Sequence, residues 1–267
     1  MTDIITNTIS TADLVAAWDA QQEAYVAYRE QRFEVMLELV ADLFARADNS
    51  YGPDGTGAVA FDAACGPGSL SRRLLDRFPG VRVIGVDYDP ALLALAADSL
   101  AGFGSRFSAV DADLADPRWP DALPAPMVDV VVSSTALHWL APETLVGLYC
   151  TLGDVVADGG VLLNADHLRY HPVRQGFMHA AADGHDRRSQ ASRRREGAMT
   201  WEQWWCRAAG HPVAGPLVAE RERRFADRPP TTLAPLDFHL QALATAGFSE
   251  TGTVWQYLDD YVVFARR

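Results

Sequence analysis

A glycine-rich turn, followed at a fixed distance by a carboxylate, is the feature of this sequence best suited to binding chemistry. Residues 65–68, Cys-Gly-Pro-Gly, follow an apolar segment that ends at Asp62. Glycine lets a backbone approach a ligand closely, and the amides that open the next helix can donate to that ligand. Asp87 comes 21 residues after Gly66, near the offset of about 20 residues at which an acidic side chain meets ribose hydroxyls. Turn and acid together predict a nucleoside-containing ligand.

The segments around this turn have the pattern of a strand–helix–strand unit. Residues 58–61 are a short apolar strand, and leucines at helical spacing follow the turn from Leu70 to Phe78. Pro79 and Gly80 end that helix, and residues 81–86 form a second apolar strand that ends at Asp87. The ligand-binding turn therefore lies inside a βαβ unit.

The motif at this turn differs from the dinucleotide-binding fingerprint. The third glycine of G-x-G-x-x-G is replaced by Ser71. Residues 61–68, F-D-A-A-C-G-P-G, instead resemble the first motif of class I S-adenosylmethionine-dependent methyltransferases, in which an acid and any residue precede G-C-G-x-G. Ala64 stands in the place of the motif's first glycine, and alanine still permits a fairly close approach.

The resemblance extends over residues 57–165. An acid, Asp111, ends the third apolar strand, and A-L-H-W-L at 136–140 follows the fourth. The A-L-H-W-L run resembles a small-molecule subgroup of the family that includes trans-aconitate methyltransferase. D-G-G-x-L-L at 158–163 is also similar to the family.

The resemblance implies S-adenosyl-L-methionine as the cofactor and suggests which residues bind it. Asp62 and the turn would hold the methionine part, Asp87 the ribose, and Ser133 would lie near the amino-acid moiety. The implied cofactor-binding residues are Asp62, Ala64, Gly66, Gly68, Asp87, Tyr88, Asp111, Ala112 and Ser133. Asp111 with Ala112 would meet the adenine, and Tyr88 would lie against it. A turn-capping role for Asp111 and a plain surface position for Tyr88 remain open.

His138 is the candidate catalytic residue. It follows the fourth strand at the carboxyl edge of the sheet, where open α/β sheets bind ligands. A neutral imidazole there can act as general base if the acceptor is a hydroxyl or a carbon acid. The alternative is a histidine that only packs beside Trp139. Asp166, His167 and His171 lack any recognised ligand spacing, so no metal site is predicted.

Composition and charge narrow the class of protein. The 267 residues are 49% hydrophobic and 22% charged, as in a globular protein, and no apolar run is long enough to span a bilayer. The net charge of −12 argues against a nucleic-acid partner. Three widely spaced cysteines indicate reduced thiols, and the N-terminus carries no signal peptide, so a cytoplasmic location is expected. No lysine is present, which excludes Schiff-base chemistry. Oligomeric state is left open.

The resemblance implies an α/β fold, a doubly wound Rossmann-like sheet of seven strands. Residues 1–50 are then expected to form an N-terminal helical cap, and residues 51–267 the methyltransferase domain. An insertion at about 166–230, after the fifth strand, interrupts the alternation, and the resemblance implies that it covers the substrate. Its arginine-rich part, 183–197, is expected to be a mobile loop, and its tryptophans at 201–205 are expected on a helix. The last two strands are expected to pair antiparallel.

The function expected from these features is methyl transfer from S-adenosylmethionine to a small organic molecule. One alternative is a protein that keeps the cofactor as a structural ligand, for example for a cyclisation. A nicotinamide-dependent dehydrogenase is a second alternative, and the missing third glycine argues against it.

Overall fold

The central element of the fold is a seven-stranded sheet, described in a computed structural model for residues 9–46, 50–228 and 234–267. The strands are β1 (Val59–Ala63), β2 (Arg82–Asp87), β3 (Phe107–Asp111), β4 (Val128–Ser134), β5 (Val156–His167), β6 (Glu250–Tyr257) and β7 (Asp260–Arg266). Their order across the sheet is β3-β2-β1-β4-β5-β7-β6. The pairs among β1 to β5 are parallel, and β7 runs antiparallel to both of its neighbours. The predicted seven-stranded α/β fold is confirmed.

Helices cover both faces of this sheet. They are α1 (Thr11–Tyr25), α2 (Arg29–Ala45), α3 (Ser69–Arg77), α4 (Pro90–Ser99), α5 (Pro142–Val155), α6 (Gly176–Arg195), α7 (Trp201–Ala209), α8 (Val218–Phe225) and α9 (Leu236–Thr245). On one face, α2 and α3 pack against the sheet through side chains such as Phe33 and Leu74. On the other face, α5 and α9 pack through side chains such as Leu148 and Leu243. Both faces of the central parallel strands β1, β2 and β4 are therefore buried.

A third apolar cluster joins the N-terminal helix to the segment after β5. Trp204 of α7 is fully buried, and its ring lies 4.8 Å from that of Trp18 in α1. Its indole nitrogen donates to the carbonyl oxygen of Leu14 at 3.0 Å. The predicted helix at the tryptophans is confirmed, and it packs on α1 and α4.

One local prediction differs from the structure. The arginine-rich segment expected to be a loop is the C-terminal half of α6, because its alanine, arginine and glutamine residues favour a helix and Ala182 packs inward. The N-terminal region is divided into two helices at Tyr28, whose φ is 52°. The expected end of the insertion near residue 230 lies outside the described residues. In the described ranges, no helix is long and apolar enough to cross a bilayer.

Candidate functional site

The candidate site lies where the strand order reverses. The chain moves outward from β1 through β2 to β3, then returns to the other side of β1 with β4 and β5. Open α/β sheets bind ligands in the crevice at the carboxyl ends of the strands beside this switch point. The structure brings the residues predicted for the site to the carboxyl ends of β1, β2, β3 and β4.

The glycine turn joins β1 to α3 and takes three left-handed conformations in five residues. The φ angles are 58° at Ala64, 56° at Gly66 and 86° at Gly68. A side chain on Gly68 would meet Leu100 at 2.8 Å, whereas nothing lies within 4 Å of the Cβ position of Gly66. The left-handed conformation of Ala64 is costly for a non-glycine residue, and such strain concentrates at ligand sites. The backbone at Gly66 faces open space beside the crevice.

Asp87 connects β2 to this turn. Its two oxygens accept the amide hydrogens of Gly66 and Asp89, both at 2.7 Å. Burial raises the pKa of Asp87 to about 6, although the same two amides favour the ionised form. A carboxylate oxygen has two lone pairs, so each oxygen of Asp87 keeps one acceptor site. These two acceptor sites fit a ribose, whose hydroxyl groups can donate to both oxygens.

Asp62 is a buried carboxylate of β1, and its role in holding the methionine part stays a prediction. It is 1% exposed, and one of its oxygens accepts the amide of Ser71 at 3.0 Å and its hydroxyl at 2.6 Å. Burial raises the pKa of Asp62 to about 7, and the two bonds from Ser71 oppose that rise. Its observed partner is therefore the first turn of α3.

Ser133 ties the ends of the two central strands together. Its hydroxyl donates to the carbonyl oxygen of Ala63 at 2.8 Å, across from β4 to β1. Two residues later, Thr135 has a φ of 56°, and its amide donates to the carbonyl oxygen of Ala165 on β5. A positive φ is a genuine outlier for a β-branched residue. Strained residues thus follow both strands that flank the switch point.

The predicted adenine residues lie under helix α8. Asp111 accepts two hydrogen bonds from Arg224, and the same guanidinium donates to the carbonyl oxygen of Tyr88 at 3.0 Å. The Tyr88 ring lies 5.5 Å from that of Phe225, and the guanidinium of Arg228 lies 4.3 Å above it. The partly buried Ala112 follows Asp111 and donates its amide to the carbonyl oxygen of Asp87 at 3.3 Å. Asp111 and Asp87 are also paired in register on β3 and β2.

His138 is held by a buried carboxylate from the neighbouring strand. Its ring Nδ1 lies 2.6 Å from Oδ1 of Asp166, and its backbone amide donates to Oδ2 at 3.0 Å. Asp166 is fully buried. Burial opposes its ionisation, yet the nearby imidazoles of His138 and His167, together with Arg32, hold the pKa of Asp166 well below its usual value. In many acid–base catalysts a carboxylate orients one ring nitrogen of a histidine, and the other ring nitrogen accepts the proton. Asp166 and His138 have this arrangement.

A second buried group lies beside this pair and was not anticipated from the sequence. Nδ1 of His167 lies 2.6 Å from Oδ1 of Asp260, at an angle that does not make a hydrogen bond, and Arg32 donates to the same oxygen at 3.1 Å. The His138 and His167 rings are 5.9 Å apart. Sequence reasoning considered Asp166 and His167 only as metal ligands, because their partners come from distant parts of the chain. The adjacency of Asp259 and Asp260 to an apolar strand was the available signal.

The described ranges contain no group of three or more histidine, cysteine or acidic residues arranged for a metal ion. His171 instead accepts the backbone amides of Val173 and Arg174 through its ring nitrogen, both at 3.1 Å. Asp166 and His167 belong to the hydrogen-bonded group beside His138.

Comparison with known proteins identifies the central segment. Residues 60–160 match a family described as a methyltransferase domain. The chain is 34% identical over 127 residues to trans-aconitate 2-methyltransferase of Streptomyces avermitilis, covering 47% of this chain and 42% of that protein. It is 47% identical over 76 residues to ribosomal RNA small subunit methyltransferase H of Mycolicibacterium smegmatis, covering 28% of this chain and 20% of that protein. The chain thus spans less than half the length of these relatives.

Solved structures with low identity share the fold. The CurJ carbon methyltransferase matches with a TM-score of 0.57 and 14% identity, over 99% of this chain and 61% of that one. An O-methyltransferase family protein from Burkholderia thailandensis matches with a TM-score of 0.54 and 16% identity, over 98% of this chain and 74% of that one. At these identities, the likeness concerns the arrangement of helices and strands.

Proposed function

We propose, from a central segment that matches a methyltransferase domain, that this chain is a class I S-adenosylmethionine-dependent methyltransferase that transfers a methyl group to a small organic molecule. The observation that carries the proposal is the His138–Asp166 pair at the carboxyl edge of the sheet. It gives the carboxyl edge of the sheet a proton acceptor after β4, the strand that pairs with β1. An acceptor molecule with a hydroxyl or a carbon acid would use such a base.

The cofactor would lie along the carboxyl ends of four strands. Gly66 and Gly68 allow the backbone to approach the methionine part, and Asp87 would accept both ribose hydroxyls. The adenine would lie between Tyr88 and the backbone at Ala112. Asp62 would help the turn to hold the methionine part, and its bonds to Ser71 fix the amino end of α3.

The site residues contribute alignment and proton transfer. When bound, S-adenosylmethionine supplies a methyl group from a positively charged sulfur. Methyl transfer is an in-line displacement, so the protein has to hold the acceptor on the line of attack and exclude water. Nε2 of His138 would accept the proton of the acceptor hydroxyl, and Asp166 would stabilise the imidazolium that forms.

A substrate cover is proposed from the segment after β5. We take residues 51–267 as the methyltransferase domain, residues 1–50 as its N-terminal cap, and about 166–230 as the cover. Helices α6 and α7 of this segment pack on α1, while α8 packs on α4. The aromatic side chain of Trp139, beside His138, is 66% exposed and would contact the acceptor.

A small molecule is favoured over RNA as the acceptor. One similar protein acts on ribosomal RNA by its name, but the match covers only 20% of it. The net charge of this chain is −12, whereas contacts to RNA phosphates need a basic surface. Because the three cysteines are free thiols, we place the reaction in the cytoplasm.

Calorimetry and a transfer assay test the proposal. We expect S-adenosylhomocysteine to bind with a Kd of about 1–100 µM and NAD to show no binding. Transfer of a labelled methyl group should then be measured on a panel of carboxylic acids, phenols and amines, with ribosomal RNA in a parallel arm. Labelling of a small molecule would support the proposal.

Two results would overturn it. Preferential binding of NAD would favour the dehydrogenase alternative. Labelling of RNA alone would contradict the small-molecule substrate. Mass spectrometry of ligands that co-purify with the protein would also identify a cofactor that stays bound without turning over, the outcome expected of a structural role.

A further inference from the structure

We propose that Arg32 and Asp260 are positioning residues that fix the His138–Asp166 pair and set how readily the His138 imidazole holds a proton. The inference rests on the proposed use of His138 as general base. It concerns two residues from opposite ends of the chain that lie in none of the sequence motifs. Arg32 belongs to α2, and Asp260 begins β7.

Asp166 is the point at which this group meets the candidate base. Its Oδ1 accepts from the backbone amide of His167 at 2.9 Å and contacts Nδ1 of His138, while Oδ2 accepts the His138 amide. Three contacts fix both carboxylate oxygens. The orientation of the His138 ring therefore depends on whatever holds the end of β5 in place.

Asp260 holds that end of β5 from the neighbouring strand. It is paired in register with His167 on the antiparallel strands β7 and β5, and its Oδ1 lies 2.6 Å from the His167 ring. The same oxygen accepts a hydrogen bond from Arg32 at 3.1 Å. A continuous set of buried charged and polar side chains thus joins α2 to β7 and β5.

The burial of the Arg32 guanidinium lowers the stability of the folded protein. The Arg32 side chain is fully buried, and its Nε and second terminal nitrogen have no partner among the residues that the structure describes. Removing a guanidinium from water costs several kcal/mol, and one hydrogen bond to Asp260 does not offset that cost well. Burial lowers the pKa of Arg32, while Asp260 and Asp166 oppose this shift. A well-packed apolar side chain would be expected to serve stability better.

The charges of the group give Arg32 and Asp260 opposite effects on His138. Asp166 and Asp260 supply two negative charges, and Arg32 supplies one positive charge, so the group carries one net negative charge when both imidazoles are neutral. Tyr149 of α5 and His239 of α9 also interact with Asp166, His239 interacts with His138 as well, and Arg29 interacts with Arg32. Loss of Arg32 should strengthen proton binding, and loss of Asp260 should weaken it.

Nuclear magnetic resonance of the histidine rings in the full chain tests this directly. The His138 signal is identified by its loss in His138→Gln, and its titration midpoint is then followed with pH. We expect Arg32→Gln to raise the midpoint by about 0.5–1 pH unit and Asp260→Asn to lower it by a similar amount. Arg32→Lys keeps the charge and should leave the midpoint near the wild-type value. Arg82→Gln removes an exposed arginine at the amino end of β2 and should not change it.

Kinetic measurements add a second readout. In both variants the acid limb of kcat should move in the same direction as the midpoint, while the affinity for S-adenosylhomocysteine stays unchanged. Midpoints that do not move, or that move in the same direction in both variants, would overturn the inference. If Arg32→Gln does not fold, the Asp260→Asn variant tests the inference alone: a lowered titration midpoint of His138 supports it, and an unchanged or raised midpoint overturns it. The titration needs no turnover, so a failure of the proposed methyl transfer would be seen separately in the transfer assay.

Discussion

Arg224 forms a two-pronged ion pair with Asp111, in which its two terminal nitrogens lie 2.6 and 2.8 Å from the two carboxylate oxygens. Two more arginines of the same segment repeat the contact. Arg221 pairs with Asp89, and the guanidinium of Arg228 lies 2.7 Å from a carboxylate oxygen of Asp113. Helix α8 and the residues just after it are thus fastened to the carboxyl ends of β2 and β3, over the subsite proposed for adenine.

The first prediction concerns this contact. Each oxygen of Asp111 keeps one acceptor site, but the guanidinium of Arg224 neutralises the carboxylate and so competes with an adenine amino group for its charge. Arg224→Gln should therefore raise the affinity for S-adenosylhomocysteine. An exposed pair of this kind contributes at most about 1 kcal/mol, so the expected gain is about two- to fivefold, measured by calorimetry.

Arg223→Gln is the matched control for this experiment. Arg223 lies on the same helix, is 71% exposed, and pairs only with Glu220 among the described ion pairs. Its loss should leave the affinity unchanged. Weaker binding by Arg224→Gln would show that Arg224 contacts the cofactor, contrary to the competition proposed here.

The second prediction concerns the pH dependence of cofactor binding. The pKa of Asp87 is raised to about 6 by burial, so its carboxylate is ionised above that pH and protonated below it. A protonated carboxyl group loses an acceptor for the ribose. Affinity for S-adenosylhomocysteine should therefore fall as the pH drops from 7 to 5, by up to about tenfold per pH unit below the pKa.

The Asp87→Asn variant separates this effect from the titration of other groups. It should bind about 5- to 100-fold more weakly at pH 8, the loss expected for hydrogen bonds to a charged group. Its remaining affinity should be nearly constant between pH 5 and 8. An equally steep fall in the variant would assign the titration to a residue other than Asp87.

Sequence reasoning located the part of the site whose residues are close along the chain. Gly66 and Asp87 are 21 positions apart, and their contact follows from the geometry of one βαβ unit. The turn, the strand ends and the position of His138 after β4 could be predicted for the same reason. Local spacing is sufficient there because strand, turn and helix follow directly on one another.

The contacts that the sequence did not reveal join residues far apart in it. Arg224 and Asp111 are separated by 113 positions, and Arg32 and Asp260 by 228. No periodicity encodes such pairs, since they depend on how the segment after β5 and the last strand fold back on the sheet. The resemblance predicted a cofactor-binding role for Asp62, which stays a prediction, whereas its contact with Ser71 could not be read from the motif. The arginine-rich loop prediction failed because charge was given more weight than helix propensity.

The third prediction concerns stability and pH. The folded-state pKa of Asp62 is raised to about 7 by burial, above the value of about 3.9 expected in the unfolded chain. The contribution of Asp62 to the free energy of unfolding is therefore most favourable below pH 4, and it is lost as the pH rises through 7. The free energy of unfolding of Asp62→Asn, relative to wild type, should improve between pH 5 and 8, by on the order of 1–3 kcal/mol.

Denaturant unfolding at pH 5, 6.5 and 8 measures this difference. The exposed Asp54→Asn variant is the control, because Asp54 has a lowered pKa from its bonds to Thr56 and should show no such trend above pH 5. A relative stability of Asp62→Asn that does not change over this range would show that Asp62 is ionised throughout in the folded protein.

The last prediction concerns His138 itself. His138→Ala should keep its affinity for S-adenosylhomocysteine and lose about 10²- to 10⁴-fold in kcat, the usual contribution of a general base. Asp166→Asn keeps the size of the side chain but removes the charge that stabilises the imidazolium, so kcat should fall while the cofactor affinity is retained. His171→Gln is the control, since this exposed histidine bonds only to its own loop among the described residues. An acceptor that reacts without losing a proton would be methylated by His138→Ala at the wild-type rate, and His138 would then be a packing residue beside Trp139.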